Sequence, residues 1–550
     1  MFNRPSRAAP FIGWGFLLFV VLFWRLGAAT FWDPDEAHYA QTSVELIASG
    51  DWLAPYYNAQ PFFDKPVLFH LLQSIPMRVL GPTEGASRLV PAVAALALVG
   101  TTWWVGVTLG SAEIGLVAAL LLTVNPSVFA LTRYAILDTV FTAFLFGGAA
   151  MLTVAALRNR PRLQYGGYVL LALATLTKGP LAIVLAGLAF ALGIAASADA
   201  RRRLLGLRWV LGLLMVAALS APWFFYMWRR FDGAFVQGYV LNENVRLFAQ
   251  PLYQGQPPWW FYIQLVVVGM LPWSGLIVGR LYDDIRAWRT PEAPDTFEVL
   301  LWSWIAAIVG FFSLSSFKLD HYVFPAAPAL CLIAARAWSA LRGDAGHRPR
   351  AGVRVGSRLV GPLLVGAGLA IAFLMIARLA LPVPALLVPG ALLCAGAIVA
   401  WRSMNPRARV PAAPWIVLAA LGVTYAGLLL WVVPALEQKK VVPDIARWVA
   451  AAAGPDARIC AYRLNRWNTA FRFYVGRHTE VLDAPEQART WLDEPGQVYC
   501  ATTAEAYRDL IPLGLPLRVV HSREGMWVTS GQALWQRKAP STEFLVLTRD

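Results

Sequence analysis

The sequence predicts an all-α polytopic membrane domain over residues 1–434, followed by a small α/β domain over residues 435–550. Three observations predict it. Hydrophobic residues fill 58% of the 550 positions and charged residues only 14%, with a mean hydropathy of +0.54, which is foreign to a soluble chain of this length. Apolar runs of roughly bilayer-crossing length recur through the first 434 residues. After Val433 the runs stop, and short mixed polar and apolar segments replace them.

The expected spans are 11–30, 86–109, 114–132, 135–157, 165–177, 180–197, 209–228, 259–280, 297–316, 321–341, 359–378, 383–401 and 414–434. That is about thirteen helices. The first is read as a retained span, because no small-residue cleavage pattern leads from it into soluble sequence. A formal charge of +15 would point to nucleic acid in a soluble protein. Here the basic residues sit in short loops between apolar runs, as the positive-inside rule requires. With Arg4 and Arg7 in the cytoplasm and sides alternating, loop 158–162, Arg201–Arg203, Arg280/Arg286/Arg289, loop 342–358 and Arg402/Arg407/Arg409 all fall inside. No phosphate-binding glycine loop, zinc-spaced Cys/His set or nucleic-acid motif occurs.

The same parity places the C-terminal domain outside. Residues 457–462, 479–483, 497–501 and 517–522 read as strands, and 485–492 and 503–511 as helices. Cys460 and Cys500 end two of these strands, either as a disulfide or as two buried thiols.

Residues 31–66 lie just beyond the first span, at a lipid–water boundary. Asp33 fits a helix N-cap, Pro34 the first helical position, and Glu36 the carboxylate that returns to the cap. Ala37, Ala40, Val44 and Ile47 recur at helical spacing, and Gly50 is placed to stop the helix. Capping leaves Asp35 without a structural task. Asp64 and Lys65 follow, ahead of Pro66 and an amphipathic run through Ile75.

Parity gathers further polar residues on the outer side: Arg133, Asp138, Lys178, the 229–258 loop with Asn242, Glu243, Asn244 and Arg246, and Lys318, Asp320, His321 and Tyr322. The loop's Trp, Tyr and Pro content suits packed interfacial structure. Asp138 lies in an apolar span, where a charge costs roughly 2.5–3.5 kcal/mol at mid-membrane, so it should face a cavity or a partner. Lys65, Lys178, Arg246 and Lys318 beside carboxylates suit a site that receives phosphate. His321 is either structural or, with Asp64, a holder of a divalent cation, though the spacing specifies no metal. A lipid or sugar transporter is the rival class. It would carry charges at mid-membrane, whereas here they gather at one face, which favours an enzyme.

WDPDEAHYA, SGDWLAPYYN, FFDKP, the Arg133–Asp138 segment, LTKGPLA, APWF, ENVRLF, GMLPW and FKLDHYVFPAAPAL occur in this order between residues 32 and 330. As an ordered set they resemble the GT-C superfamily of integral-membrane glycosyltransferases, and most closely the lipid A aminoarabinose transferases and the group related to protein O-mannosyltransferases. The resemblance implies a GT-C fold with a periplasmic C-terminal domain in a bacterial inner membrane. It also implies an inverting transfer of a sugar from a polyprenyl-phosphate donor to a lipid acceptor such as lipid A. By motif, Asp35 and Asp138 match the family's two acidic catalytic residues, and Lys65, Arg246 and Tyr322 match residues that grip the lipid phosphate. Lys318, Asp64, Glu36, Lys178 and His321 complete the expected substrate-binding set. FDKP, DEAHYA and KLDHY depart from the family's FEKP, DETRYA and KLP patterns. Transfer of mannose, galacturonic acid or another sugar to a different envelope acceptor therefore stays open as the alternative.

Overall fold

The computed structural model describes residues 9–250, 256–290, 293–342, 351–378, 381–404, 413–526 and 541–549. Arg4, Arg7, Arg407, Arg409 and residues 343–350 of the loop used to assign topology lie outside the described residues. Each of the expected spans is helical, and the chain is a multi-pass membrane protein. Among the described residues, eight helices are long and apolar enough to cross a membrane, or ten if each of two bent pairs is one span. Ile12–Phe23 and Leu181–Ala196 are shorter apolar helices, and Leu163–Lys178 is a helix of 16 residues.

The two bends have local causes. Asn125 accepts the Ser127 N–H and starts a new helix with Pro126 in its first position, which turns Pro126–Thr132 by 55° from Ala112–Thr123. The expected span 259–280 is not straight: Phe261–Gly269 and Ser274–Ala287 meet at 117°. Pro272 stands in the break, and proline cannot donate the hydrogen bond that would continue the helix. Glycines let neighbouring helices touch. A Cβ on Gly106 would lie 2.6 Å from the Gly115 Cα, and one on Gly279 would lie 2.2 Å from the Gly352 carbonyl oxygen.

The 229–258 segment also differs from expectation. Helical structure continues from Trp209 to Ala249, broken only at Asp232, whose φ of 43° turns the chain. Residues Val236–Arg246 and Leu247–Ala249 thus form an arm rather than a loop.

Near the N-terminus a short hairpin pairs β1 (Tyr56–Tyr57) with β2 (Gln60–Pro61). The C-terminal sheet contains β3 (Arg458–Tyr462), β4 (Glu480–Leu482), β5 (Val498–Thr503), β6 (Arg518–Met526) and β7 (Ser541–Arg549), in the order β4-β3-β5-β7-β6. β3 runs parallel to β4 and β5, while β7 pairs antiparallel with β5 and β6. The period-two alternation of a strand decides which side chains go where. Ile459, Ala461, Tyr499, Ala501, Phe544 and Val546 pack with helices Val442–Ala452 and Asn468–Val475 and reach Phe31, Ala37 and Ala40. Cys460, Tyr462, Val498, Cys500, Leu545 and Leu547 face the helices Pro485–Asp493 and Ala504–Leu510. Cys460 and Cys500 are register partners and buried free thiols, and burial pushes the Cys460 thiol well above its ordinary range. The strand β7 and the helices Val442–Ala452 and Asn468–Val475 have no counterpart among the expected elements.

Candidate active site

The helix Asp35–Ser49 carries the first acidic residue and is held from both sides. Its start differs from the sequence expectation. Pro34 stands at the N-cap position, no side chain caps the helix, and Gly50 ends it in the left-handed conformation. Asp33 instead accepts the Ala470 N–H at 2.8 Å and the Thr469 hydroxyl at 2.5 Å, so it caps a helix of the C-terminal domain. Glu36 is fully buried and does not reach the pocket described below. Its carboxylate accepts the backbone N–H of Trp32 (2.9 Å) and of Ala135 (2.8 Å) and forms a bidentate pair with the buried Arg88 (2.7 and 2.9 Å). Arg88 also donates to the Leu26, Ala29 and Thr30 carbonyls. Glu36 is therefore a structural anchor, and the expected substrate contact is corrected. Every oxygen of this acid has a fixed donor, as a buried carboxylate needs.

With Glu36 anchored beneath it, Asp35 is left half-buried, with the Tyr134 hydroxyl 3.5 Å from its Oδ2. One turn on, His38 is packed against Tyr57 and Phe62, and burial lowers its pKa to about 4, so the ring is neutral.

A pocket with about 620 Å³ of open volume is lined by Asp64, Lys65, Lys178, Tyr322, Tyr239, Glu243 and Asn244. Its apolar wall is Leu181, Leu247, Phe248, Phe311, Phe312 and Phe317. Four of the expected site residues, from three separate chain segments, thus meet in one place. Lys65 Nζ lies 2.7 Å from Glu243 Oε2 and also donates to the Asp64 carbonyl at 2.9 Å. Burial opposes the Lys65 ammonium, but the Glu243 and Asp64 carboxylates outweigh it and hold its pKa above that of an ordinary lysine. Burial pushes the Asp64 carboxyl up, and the Asp35 charge adds to that, against the pull of Lys65.

Behind this pocket, Asp138 opens the helix Asp138–Leu157 and is buried. Its Oδ1 pairs with Lys178 at 2.5 Å, and its Oδ2 lies 3.6 Å from His321 Nε2. The Lys178 ammonium sits 4.5 Å from the centre of the Tyr322 ring. His321 Nδ1 faces Asp320 at 3.2 Å, so both ring nitrogens look toward carboxylates other than Asp64. Among the described residues no group of three His, Cys, Asp or Glu side chains is arranged to hold a metal ion.

Two expected phosphate ligands flank the pocket rather than line it. Arg246 is exposed and donates to Asn242 at 2.9 Å, next to the lining residue Leu247. Lys318 donates to the Ser315 carbonyl at the end of the helix Thr296–Leu314, next to the lining residue Phe317. Burial lowers the Lys318 pKa. Sequence reasoning grouped Glu243 with the outer polar residues but gave it no role, and it missed Tyr239 and Arg88. A buried arginine near the start of an apolar run was the available signal for Arg88.

Residues 64–228 match the family model described as dolichyl-phosphate-mannose-protein mannosyltransferase. Among curated proteins, the undecaprenyl phosphate-alpha-4-amino-4-deoxy-L-arabinose arabinosyl transferase of Aeromonas hydrophila is 30% identical over 342 residues, 60% of each chain. The protein of the same name from Edwardsiella ictaluri is 28% identical over 320 residues, 57% of each chain. The aligned region thus spans under two thirds of these relatives' length. Among solved structures, ArnT from Cupriavidus metallidurans bound to undecaprenyl phosphate superimposes with a TM-score of 0.75 at 19% identity, covering 98% of both chains. The archaeal oligosaccharyltransferase AglB from Archaeoglobus fulgidus gives 0.51 at 12% identity, covering 94% of this chain and 74% of that one. The chain has the fold of the GT-C integral-membrane glycosyltransferases and, within them, resembles the lipid A aminoarabinose transferases.

Proposed function

We propose that this protein transfers 4-amino-4-deoxy-L-arabinose from undecaprenyl phosphate to a lipid A phosphate at the periplasmic face of the bacterial inner membrane. The observation that carries the reading is the pocket in which Lys65, Lys178 and Tyr322 meet opposite an aromatic wall. Cations there suit a phosphate, and the wall of four phenylalanines suits the first isoprene units of its lipid. The names of the curated relatives supply the sugar and the carrier.

In the reaction an oxygen of the acceptor phosphate attacks the anomeric carbon as the bond from that carbon to the donor phosphate breaks. Undecaprenyl phosphate leaves as the monoester, and one direct displacement inverts the sugar carbon. Negative charge grows on the leaving phosphate, so Lys65 and Lys178 act where the charge develops. Arg246 and Lys318 stand at the rim to receive the headgroup. Asp35 orients the incoming oxygen, a positioning task because an acceptor phosphate is already anionic. Asp138 holds Lys178 and His321 in place. Dependence on a divalent cation is read from activity after chelation; Asp64 lines the pocket, whereas His321 faces Asp138 and Asp320 behind it.

The test is mass spectrometry of lipid A from cells with and without the protein. A phosphate-linked pentosamine present only with the protein is the expected result. An unchanged lipid A, with a neutral sugar missing from another envelope polymer, would replace this reading with a different sugar transfer.

A further inference from the structure

The Lys65 amine, the group best placed to grip a donor phosphate, is already taken. Glu243 reaches it from the arm beyond the break at Asp232, at 2.7 Å, with the two side chains only 18% and 21% exposed. A phosphate arriving beside this pair would place two anions on one cation. Pulling Glu243 away with nothing to replace Lys65 would strand a half-buried carboxylate, which is costly.

The donor of the proposed function, on which this step rests, resolves the conflict because it carries both charges: a phosphodiester anion and, on its sugar, an ammonium. We propose that donor binding exchanges the Lys65–Glu243 ion pair for two new ones, phosphate on Lys65 and sugar ammonium on Glu243, which makes Glu243 the residue that selects an amino sugar. After the exchange no charge is left without a partner. A neutral sugar at the same place leaves Glu243 unpaired, so the site rejects it by a penalty as well as by a missing attraction.

The other candidate carboxylates are engaged, poorly suited or, in the case of Asp35, assigned to the incoming acceptor oxygen. Glu84 accepts the Tyr474 hydroxyl at 2.7 Å, and Asp320 is bonded to His321. Asp64 does line the pocket, but burial pushes its carboxyl toward the neutral form. Glu243 is the pocket carboxylate already adapted to an ammonium partner, since Lys65 is one.

The experiment measures binding of three ligands to the purified full chain in detergent: undecaprenyl phosphate, its aminoarabinose ester, and the same ester with the amine acetylated. The wild type should prefer the free amine over the acetylated ester by roughly tenfold or more, the usual scale for a lost charge-assisted contact. Glu243→Gln should erase that preference while holding undecaprenyl phosphate at least as tightly as the wild type, because the competitor for Lys65 is gone. Glu243→Asp, which keeps the charge, should retain the preference. A Glu243→Gln protein that still prefers the free amine overturns the exchange and leaves the proposed function standing. Equal loss of all three ligands also overturns it, because Glu243 would then only orient Lys65. A wild type with no preference for the amine overturns the amino-sugar reading of the function, and this inference with it.

Discussion

The Asp33 carboxylate accepts the backbone N–H of Ala470 at 2.8 Å, a hydrogen bond between residues 437 positions apart. It joins the segment that leads into the helix Asp35–Ser49 to the helix Asn468–Val475, whose own cap position, Trp467, does not cap it with its side chain. Around it, the Tyr474 hydroxyl accepts from the Phe31 N–H, Arg472 pairs with Glu45 at 3.3 Å, and Asn58 donates to the Thr479 carbonyl. The C-terminal domain is thereby a brace for the start of the helix Asp35–Ser49.

Replacing that carboxylate tests the brace. Asp33→Ala removes the acceptor from a buried helix N-terminus and should lower stability by about 1–2 kcal/mol. Asp33→Asn keeps an acceptor oxygen and should cost much less. Thermal unfolding in detergent, read alongside turnover, checks both. A harmless Asp33→Ala would mean that the apolar contacts of Phe31, Ala37 and Ala40 hold the loop alone.

Asp35 sits two positions along the chain and behaves differently. It is half-buried, free of any ion pair among the described residues, and its anchor is the neighbouring Glu36. Asp35→Asn should therefore abolish turnover with folding and undecaprenyl phosphate binding intact. Single-turnover assays with bound donor would show it. Wild-type rates in that variant would remove Asp35 from the reaction.

How much of this was legible in the sequence depends on how local its cause is. Apolar run length announced the helices, and the FDKP stretch announced two residues that line the pocket, because each signal lies within a few residues. Asp33 was assigned to the adjacent helix because capping rules work over three or four positions, whereas its true partner is fixed by docking of a distant domain. Glu36 likewise looked like a cap residue and is the base of an ion pair with Arg88, 52 positions away. The 229–258 segment reads as a loop, and within its arm Val236–Arg246 Gly238, Asn242 and Asn244 argue against a helix; contacts of Tyr239 with Trp223 and Phe235 override that tendency. That Glu243 meets Lys65 could not be read from either segment.

Two buried histidines, His38 on the helix Asp35–Ser49 and His70 stacked against its Tyr39, should make the fold sensitive to acid. Burial lowers His38 to about 4 and His70 to about 3, below the ordinary value of 6.5. Because the folded state disfavours protonation, these groups contribute stability that is fully present above about pH 6.5. It is lost as pH falls through the window down to their folded values, by about 1.4 kcal/mol per pH unit for each. His70→Gln should flatten the fall in melting temperature between pH 6.5 and 4, even if it lowers the value at pH 7 by losing the Ser43 contact at 3.1 Å. An acid profile unchanged from wild type would assign the sensitivity to other groups.

Lys178 and Asp138 form the most buried ion pair on the pocket's wall, with side chains only 7% and 6% exposed. Removing one partner strands the other in an apolar surround, at about 3–5 kcal/mol. Lys178→Met should thus destabilise strongly, because Asp138 would keep only His321 at 3.6 Å. Lys178→Met combined with Asp138→Asn should recover most of that stability, since neither side chain then carries a charge that needs a partner. Turnover should not recover with it, because the double variant lacks a cation for the leaving phosphate and the acid that holds His321. A double-mutant cycle with both unfolding and activity as readouts separates the two tasks. If activity returned together with stability, the pair would be a fold element alone, and Lys65 would be left to meet the phosphate.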